Sequence, residues 1–101
     1  MPRRPTERQL RDELIRIGRL TYERHLLVAL DGNLSVRLSD DLILCTQAGC
    51  HKGFLEDHHL VVIDMNGDKV RGEGEPTSEM AMHLAAYRSR PDIQAVVHAH
   101  P

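Results

Sequence analysis

His98 and His100 stand two residues apart behind the apolar run Ala95-Val96-Val97. A strand has a side-chain period of two, so this spacing predicts that both imidazoles leave one face of a terminal strand. Neutral imidazole is a good ligand for zinc and its first-row neighbours, and two rings on a stiff element can share one ion. Two ligands do not complete such a site, because a catalytic zinc usually takes three protein ligands and leaves one position open. The plainer reading is two polar residues at the exposed end of a strand. A lone histidine would favour that reading; a pair at strand spacing favours a metal. Earlier in the same stretch, Glu79 follows the hydroxyl residues Thr77 and Ser78. A glutamate at a helix start often only complements the macrodipole. Beside a metal it has two further uses, as a general acid or base or as a ligand that substrate displaces.

A third group consists of hydroxyls, an amide and a glycine: Asn33, Thr46, Gly49, Thr77 and Ser78. Each is an ordinary turn or cap residue on its own. Backbone N–H groups, hydroxyls and the positive end of a helix together make an anion site. Arg37 and Lys52 either add charge there or lie as solvated surface residues. His83, one turn after Glu79 on the same helix face, is expected either to support the site from behind or to pack beside it; a Glu79–His83 pair of metal ligands at i, i+4 is possible but would compete with the strand histidines. His51, His58 and His59 fall in loops and receive no role. Cys45 reads as a buried strand residue. Cys50 reads as a loop residue lining the site, with no base placed to make it a nucleophile.

The chain has 101 residues, enough for one domain (residues 1–101) with a modest core. A net charge of −2 suggests neither a nucleic-acid partner nor an anionic membrane. Two tyrosines and one phenylalanine are too few for base-stacking platforms. The two cysteines form no CxxC pair, no signal peptide is visible, and no apolar run approaches the ~20 residues of a membrane span. These features predict a cytoplasmic protein with free thiols. The basic pair Arg3-Arg4 is assigned no function.

The elements that must carry the candidate residues follow from pattern. Thr6 and Gln9 have capping-box spacing, and Leu10, Leu14 and Ile17 recur at helical spacing, which predicts a helix from Glu7 to about His25. Gly18 should weaken it slightly relative to alanine. Asp31-Gly32-Asn33 marks a turn. Leu34, Val36 and Leu38 then alternate with Ser35, Arg37 and Ser39, a strand with one polar face. Residues 42–46 should pair with it as a hairpin. A short helical piece is expected over 54–59, a third strand over 60–64, an Asn66-Gly67 turn and a short returning strand over 69–72. Thr77 or Ser78 can cap a helix from about Glu79 to Ser89 whose Met80, Leu84 and Tyr87 pack on the sheet. Pro91 ends it, and a last strand runs from Ile93 to His100. Helices mixed with antiparallel strands predict an α/β or α+β sheet covered by helices.

The ordered motifs GNLSVR (Gly32–Arg37), TQAG (Thr46–Gly49), KG (Lys52-Gly53), PTSE (Pro76–Glu79), HLAAYR (His83–Arg88), RPD (Arg90–Asp92) and VVHAHP (Val96–Pro101) resemble the class II aldolase/adducin N-terminal domain family. The resemblance runs from about Leu10 to Pro101. It implies a three-layer α/β/α sandwich around a mostly antiparallel sheet, of which this chain is the N-terminal half. It also implies a homotetramer with active sites between subunits. His98 and His100 match two zinc ligands, with a third histidine expected beyond residue 101. Glu79 matches the catalytic acid/base. Gly32, Asn33, Thr77 and Ser78 match the substrate phosphate site, and Ala48-Gly49 falls on its remaining loop. The family loop usually reads Thr-Pro-Ser/Thr-Gly; here Gln47 and Ala48 stand at the middle positions, which removes one side-chain hydrogen bond to a phosphate. The implied activity is zinc-dependent aldol cleavage of a ketose phosphate through a metal-stabilised enediolate. Glutamate rather than aspartate at position 79 tilts the reading toward aldolase. Dehydratase, decarboxylase and epimerase chemistry are the near alternatives, and a non-catalytic adducin-like interaction module is the distant one. The 101-residue chain by itself is expected to be inactive.

Overall fold

A computed structural model describes residues 4–28 and 30–100. Arg3 of the basic pair and Pro101 of the closing motif lie outside the described residues. The first helix, α1 (Glu7–Glu23), starts where its capping box predicts. The Gln9 N–H donates to Thr6 Oγ1 at 3.1 Å and the Thr6 N–H donates to Gln9 Oε1 at 2.9 Å. The helix stops two residues before His25, which turns out of it with a left-handed φ of 63°.

Strands β1 (Asn33–Arg37), β2 (Leu42–Thr46), β3 (Leu60–Asp64), β4 (Lys69–Arg71) and β5 (Ala95–His98) form one sheet in the order β4-β3-β2-β1-β5. Every neighbouring pair is antiparallel. The expected β1–β2 hairpin is present, and short 3-10 turns cover Lys52–Phe54 and Asp57–His59. Helix α2 (Met80–Ser89) crosses over to bring the chain from β4, at one edge, to β5, at the other.

Alternation along the strands sends side chains to two unlike cores. Leu34, Val36, Leu44, Leu60 and Val62 pack with Leu14 of α1. Ile43, Cys45, Val61 and Ile63 pack with Met80, Leu84 and Tyr87 of α2. The sheet therefore lies between the two helices, in the three-layer α/β/α arrangement expected. Met80, Leu84 and Tyr87 are the apolar face predicted for the second helix.

Arg37 and Lys52 are not surface charges. Arg37 is buried; its Nε donates to the Ile93 carbonyl at 3.0 Å, Nη2 donates to the Tyr87 carbonyl at 3.2 Å, and its guanidinium lies 4.9 Å from the Tyr87 ring centre. It clamps the end of α2 to the turn that feeds β5. Lys52 is also buried and donates to the carbonyls of Leu30 and Cys50, each at 2.8 Å. Both cations are spent on backbone oxygens, which a buried charge requires.

Gly18 also departs from expectation. In an open helix it would be a weak point relative to alanine. Here a Cβ would stand 2.3 Å from the Lys52 carbonyl oxygen and 2.9 Å from Leu55 Cδ1. The glycine lets the 52–54 turn press against α1, so packing overrides propensity. Replacing Gly18 with alanine should gain under about 1 kcal/mol from helix propensity. It should lose about 1–3 kcal/mol to overpacking. We therefore expect a lower urea midpoint for Gly18→Ala; a higher one would show that the turn yields freely.

Candidate active site

The β1–β5 register sets the site. Asn33 lies opposite His98 and Ser35 opposite Val96. Directly opposed residues of an antiparallel pair share a face, so His98 projects to the same side as Asn33, Ser35 and Arg37. That is the side covered by α2. Glu79, the N-cap of α2, sits at its near end, and the Asn33 Nδ2 donates to Glu79 Oε2. Glu79 Oε2 lies 3.7 Å from His98 Nδ1.

His100 stands beyond the end of β5, not within a strand reaching residue 100 as the spacing suggested. The ladder stops because His98 already pairs with Asn33, the first residue of β1, and Gly32 before it turns with a φ of 80°. The two rings nevertheless lie on one side, with centroids 4.7 Å apart. Gly32 is required at this spot, since a Cβ would lie 2.7 Å from the His98 carbonyl oxygen and 2.4 Å from Leu27 Cδ2.

One nitrogen each from His98 and His100 and one oxygen of Glu79 lie within 4.8 Å of one another, a group that could hold a metal ion. Two donors about 2.0–2.1 Å from a common zinc stand about 3.3–3.4 Å apart in tetrahedral geometry, so the widest pair must close by about 1 Å or more to share one. Flexible side chains at a strand end can make that movement. The donor types, imidazole nitrogen and carboxylate oxygen, suit zinc and its neighbours. His98 Nδ1 is buried and has no hydrogen-bond partner among the described residues. An orphaned buried polar atom is costly, and a ligand at that nitrogen would relieve it. The residues fit a metal.

Three turns converge beside this group. The Asn33–Glu79 bond joins the Gly32-Asn33 turn to the Thr77–Glu79 segment. A bridge between Gln47 and Pro76, and the Ala48 N–H donating to the Glu75 carbonyl at 2.8 Å, join the 47–49 loop to the same segment. The anion-site candidates Gly32, Asn33, Ala48, Gly49, Thr77 and Ser78 are thus carried by adjoining turns. Gly49 is open, with nothing among the described residues within 4 Å of where a Cβ would lie. Glu79 precedes the first residue of α2 and has no side-chain cap bond of its own; Thr77 Oγ1 accepts the Glu79 N–H at 3.3 Å, the capping contact expected of Thr77 or Ser78 at this helix start. Thr46 is buried, and its Oγ1 accepts the Leu34 N–H at 3.2 Å, extending the β1–β2 ladder. Cys50 does not line the site: it is buried in the α1-side core, and its Sγ donates to the Gln47 carbonyl. Burial raises the thiol pKa of both cysteines, that of Cys45 to about 12.

His83 takes the supporting role, one of the two expected of it. Fully buried, it lies with Nε2 against Asn33 Oδ1 and Nδ1 2.6 Å from Ser35 Oγ, which is 2.8 Å from the Tyr87 hydroxyl. A polar line therefore runs from Tyr87 through Ser35, His83 and Asn33 to Glu79. The spacing already held the signal: Glu79, His83 and Tyr87 recur every four residues, and Asn33, Ser35 and Arg37 every two. What spacing does not show is that these two stripes face each other.

Known proteins resemble this chain over most of its length. The class II aldolase and adducin N-terminal domain model matches residues 12–101. The L-fuculose phosphate aldolase of Methanococcus vannielii is 41% identical over 88 residues, 87% of this chain and 47% of its own length. The 3-oxo-tetronate 4-phosphate decarboxylase of Haemophilus influenzae is 39% identical over 95 residues, 94% of this chain and 45% of its own length. A crystal structure of YgbL from Klebsiella pneumoniae, a putative aldolase/epimerase/decarboxylase, superposes with a TM-score of 0.89 at 35% identity over 96% of this chain and 46% of that one. The chain spans about half the length of the curated relatives it matches, and it belongs to the class II aldolase and adducin N-terminal domain family.

Burial lowers the His83 pKa from 6.5 to about 4, with His98 acting in the same direction and Glu79 opposing. The unfolded chain then binds the extra proton between those values. The contribution of neutral His83 is complete above about pH 6.5 and is lost as pH falls toward 4, up to about 3 kcal/mol. Urea unfolding at pH 7, 5.5 and 4 should show a steeper loss for the parent than for His83→Gln. Parallel losses would mean that His83 does not carry it.

Proposed function

We propose, from that membership, that the protein is a zinc-dependent lyase that cleaves a ketose phosphate by retro-aldol chemistry. The observation that carries the reading is the grouping of Glu79, His98 and His100 at the converging turns. A zinc ion held by His98, His100 and a third histidine from beyond residue 101 would supply Lewis acidity at the substrate carbonyl.

The chain's own residues account for the rest. Glu79 has one carboxylate oxygen, Oε2, engaged by Asn33, and Oε1 accepts no hydrogen bond among the described residues. Its side chain is 48% exposed, so substrate can reach it. In cleavage, the hydroxyl on the second carbon from the carbonyl gives its proton to water, the bond between that carbon and the one next to the carbonyl breaks, its electron pair stays on the ketone fragment, and the hydroxyl-bearing carbon leaves as an aldehyde. Glu79 then delivers a proton to the carbon next to the carbonyl, and takes one from it in the reverse direction. The Gly32-Asn33, Ala48-Gly49 and Thr77-Ser78 turns bind the phosphate through backbone N–H groups and hydroxyls. Ala48 adds no side-chain donor, so backbone groups carry more of that binding. The same reading takes the full-length protein as a cytoplasmic homotetramer with sites between subunits.

Decarboxylation is the second reading, favoured by the 39% identity to the 3-oxo-tetronate 4-phosphate decarboxylase, close to the 41% of the aldolase. It too breaks a carbon–carbon bond beside a carbonyl and leaves a carbon to be protonated, so it uses the same residues. A non-catalytic interaction module would need none of Glu79, His98 and His100.

In the full-length protein we expect about one zinc per subunit, lost in His98→Ala, with aldehyde release from L-fuculose 1-phosphate. Carbon dioxide from 3-oxo-tetronate 4-phosphate instead would select the second reading. A folded protein without zinc would select the interaction module. Glu79→Gln should retain zinc and lose turnover by roughly 10²–10⁴-fold. Undiminished turnover would remove Glu79 from the mechanism.

A further inference from the structure

We infer that His83 is a positioning residue: held as the neutral Nε2–H tautomer by Ser35 and Tyr87, it fixes the Asn33 amide so that Nδ2 faces Glu79 and one carboxylate oxygen is left for substrate. The inference rests on the reading of Glu79 as the proton-moving group for its purpose, but not for its geometry.

The direction of the line follows from donor counting. An ionised carboxylate only accepts, so Asn33 must turn its NH₂ toward Glu79 and its Oδ1 toward His83. His83 Nε2 must then carry the proton that Asn33 Oδ1 accepts. In a neutral ring Nδ1 is left an acceptor, which takes the Ser35 hydroxyl proton across 2.6 Å. Ser35 Oγ, having given its proton, accepts that of Tyr87 across 2.8 Å. Each of these donors is used once, and every arrow points toward Glu79. Reversing one link would set two acceptors, or two protons, against each other.

Both ends of the line support this direction. Burial keeps His83 neutral at pH 7, and burial raises the Tyr87 pKa to about 12, so its phenol stays a donor. Arg37 holds the Tyr87 carbonyl and lies over its ring, fixing the far end. Reversing the amide would point Asn33 Oδ1 at Glu79 Oε2, and repulsion would swing the carboxylate away from its place 3.7 Å from His98 Nδ1. His83 thus acts on the carboxylate through Asn33 without touching substrate.

The test is nitrogen-15 NMR of the protein at pH 7. His83 should show a protonated Nε2 and a bare Nδ1. An Nδ1–H tautomer or an imidazolium would overturn the inference. The side-chain N–H of Asn33 should exchange with solvent at least tenfold more slowly than that of exposed Asn66. His83→Leu should remove that protection, and His83→Gln, whose amide can still donate to Asn33 Oδ1, should restore it. Equal exchange in the two variants would overturn the inference even if both fold. None of these signals depends on turnover, so failure of the lyase assay leaves them to be judged separately. Loss of the tautomer in a protein that does cleave L-fuculose 1-phosphate would sink the positioning role alone.

Discussion

The structure depends on one constraint: the α2-facing side of β1 is polar and buried. Asn33, Ser35 and Arg37 are 1%, 0% and 8% exposed. A polar group buried without a partner costs about 1–3 kcal/mol, and a charged one more. Whatever covers this face must therefore bring donors and acceptors in register. Helix α2 does so with His83, the Tyr87 hydroxyl and the Tyr87 carbonyl. Once His83 and Tyr87 point inward, the four-residue spacing puts Glu79 at the start of β1. The β1–β5 register brings His98 to the same place.

The two sides of the sheet divide the work. Leu14, Leu34, Leu44, Leu60 and Val62 are nearly inaccessible in the α1-side core. Full burial of such a side chain is worth about 1.5–3 kcal/mol. Hydrogen bonds on the α2 side return only about 0.5–1.5 kcal/mol each once desolvation is subtracted. Stability therefore comes mainly from the α1 layer and the apolar part of the α2 layer. Placement comes from the polar seam. Lys52 links the two, because its bonds to Leu30 and Cys50 brace the chain just before Gly32, whose turn meets His98.

Periodicity made most of the elements legible. The capping box located the start of α1, and alternation located β1. The apolar stripe of Met80, Leu84 and Tyr87 identified the face of α2 that packs on the sheet. The adjacency of Glu79, His98 and His100 followed from spacing together with family resemblance. What was not legible depends on long-range contact. Arg37 and Lys52 read as surface or site charges because charged residues are rarely buried, and only the fold shows the carbonyls waiting for them. Gly18 looked like a weak helix residue because the turn pressing on it comes from residues 52–54. Cys50 fell in the right loop, but its side chain turns to the other side of the sheet. His100 seemed part of a strand because nothing in its own neighbourhood records that β1 begins at Asn33.

Folding alone does not call for a line of this kind. Replacing both partners of a buried hydrogen bond with apolar groups of similar shape can be nearly neutral. An apolar seam between β1 and α2 would hold the sheet and helix together about as well. Such a seam has no sense of direction. A line of hydroxyl, hydroxyl, imidazole and amide has one, because each member that accepts a proton must offer its own to the next. The Tyr87 end is sealed by packing and by Arg37, so the line ends where the fold is open, at the carboxylate of Glu79. The polar face of β1 is thus accounted for less by the energy it contributes than by the orientation it transmits to a carboxylate beside two histidines.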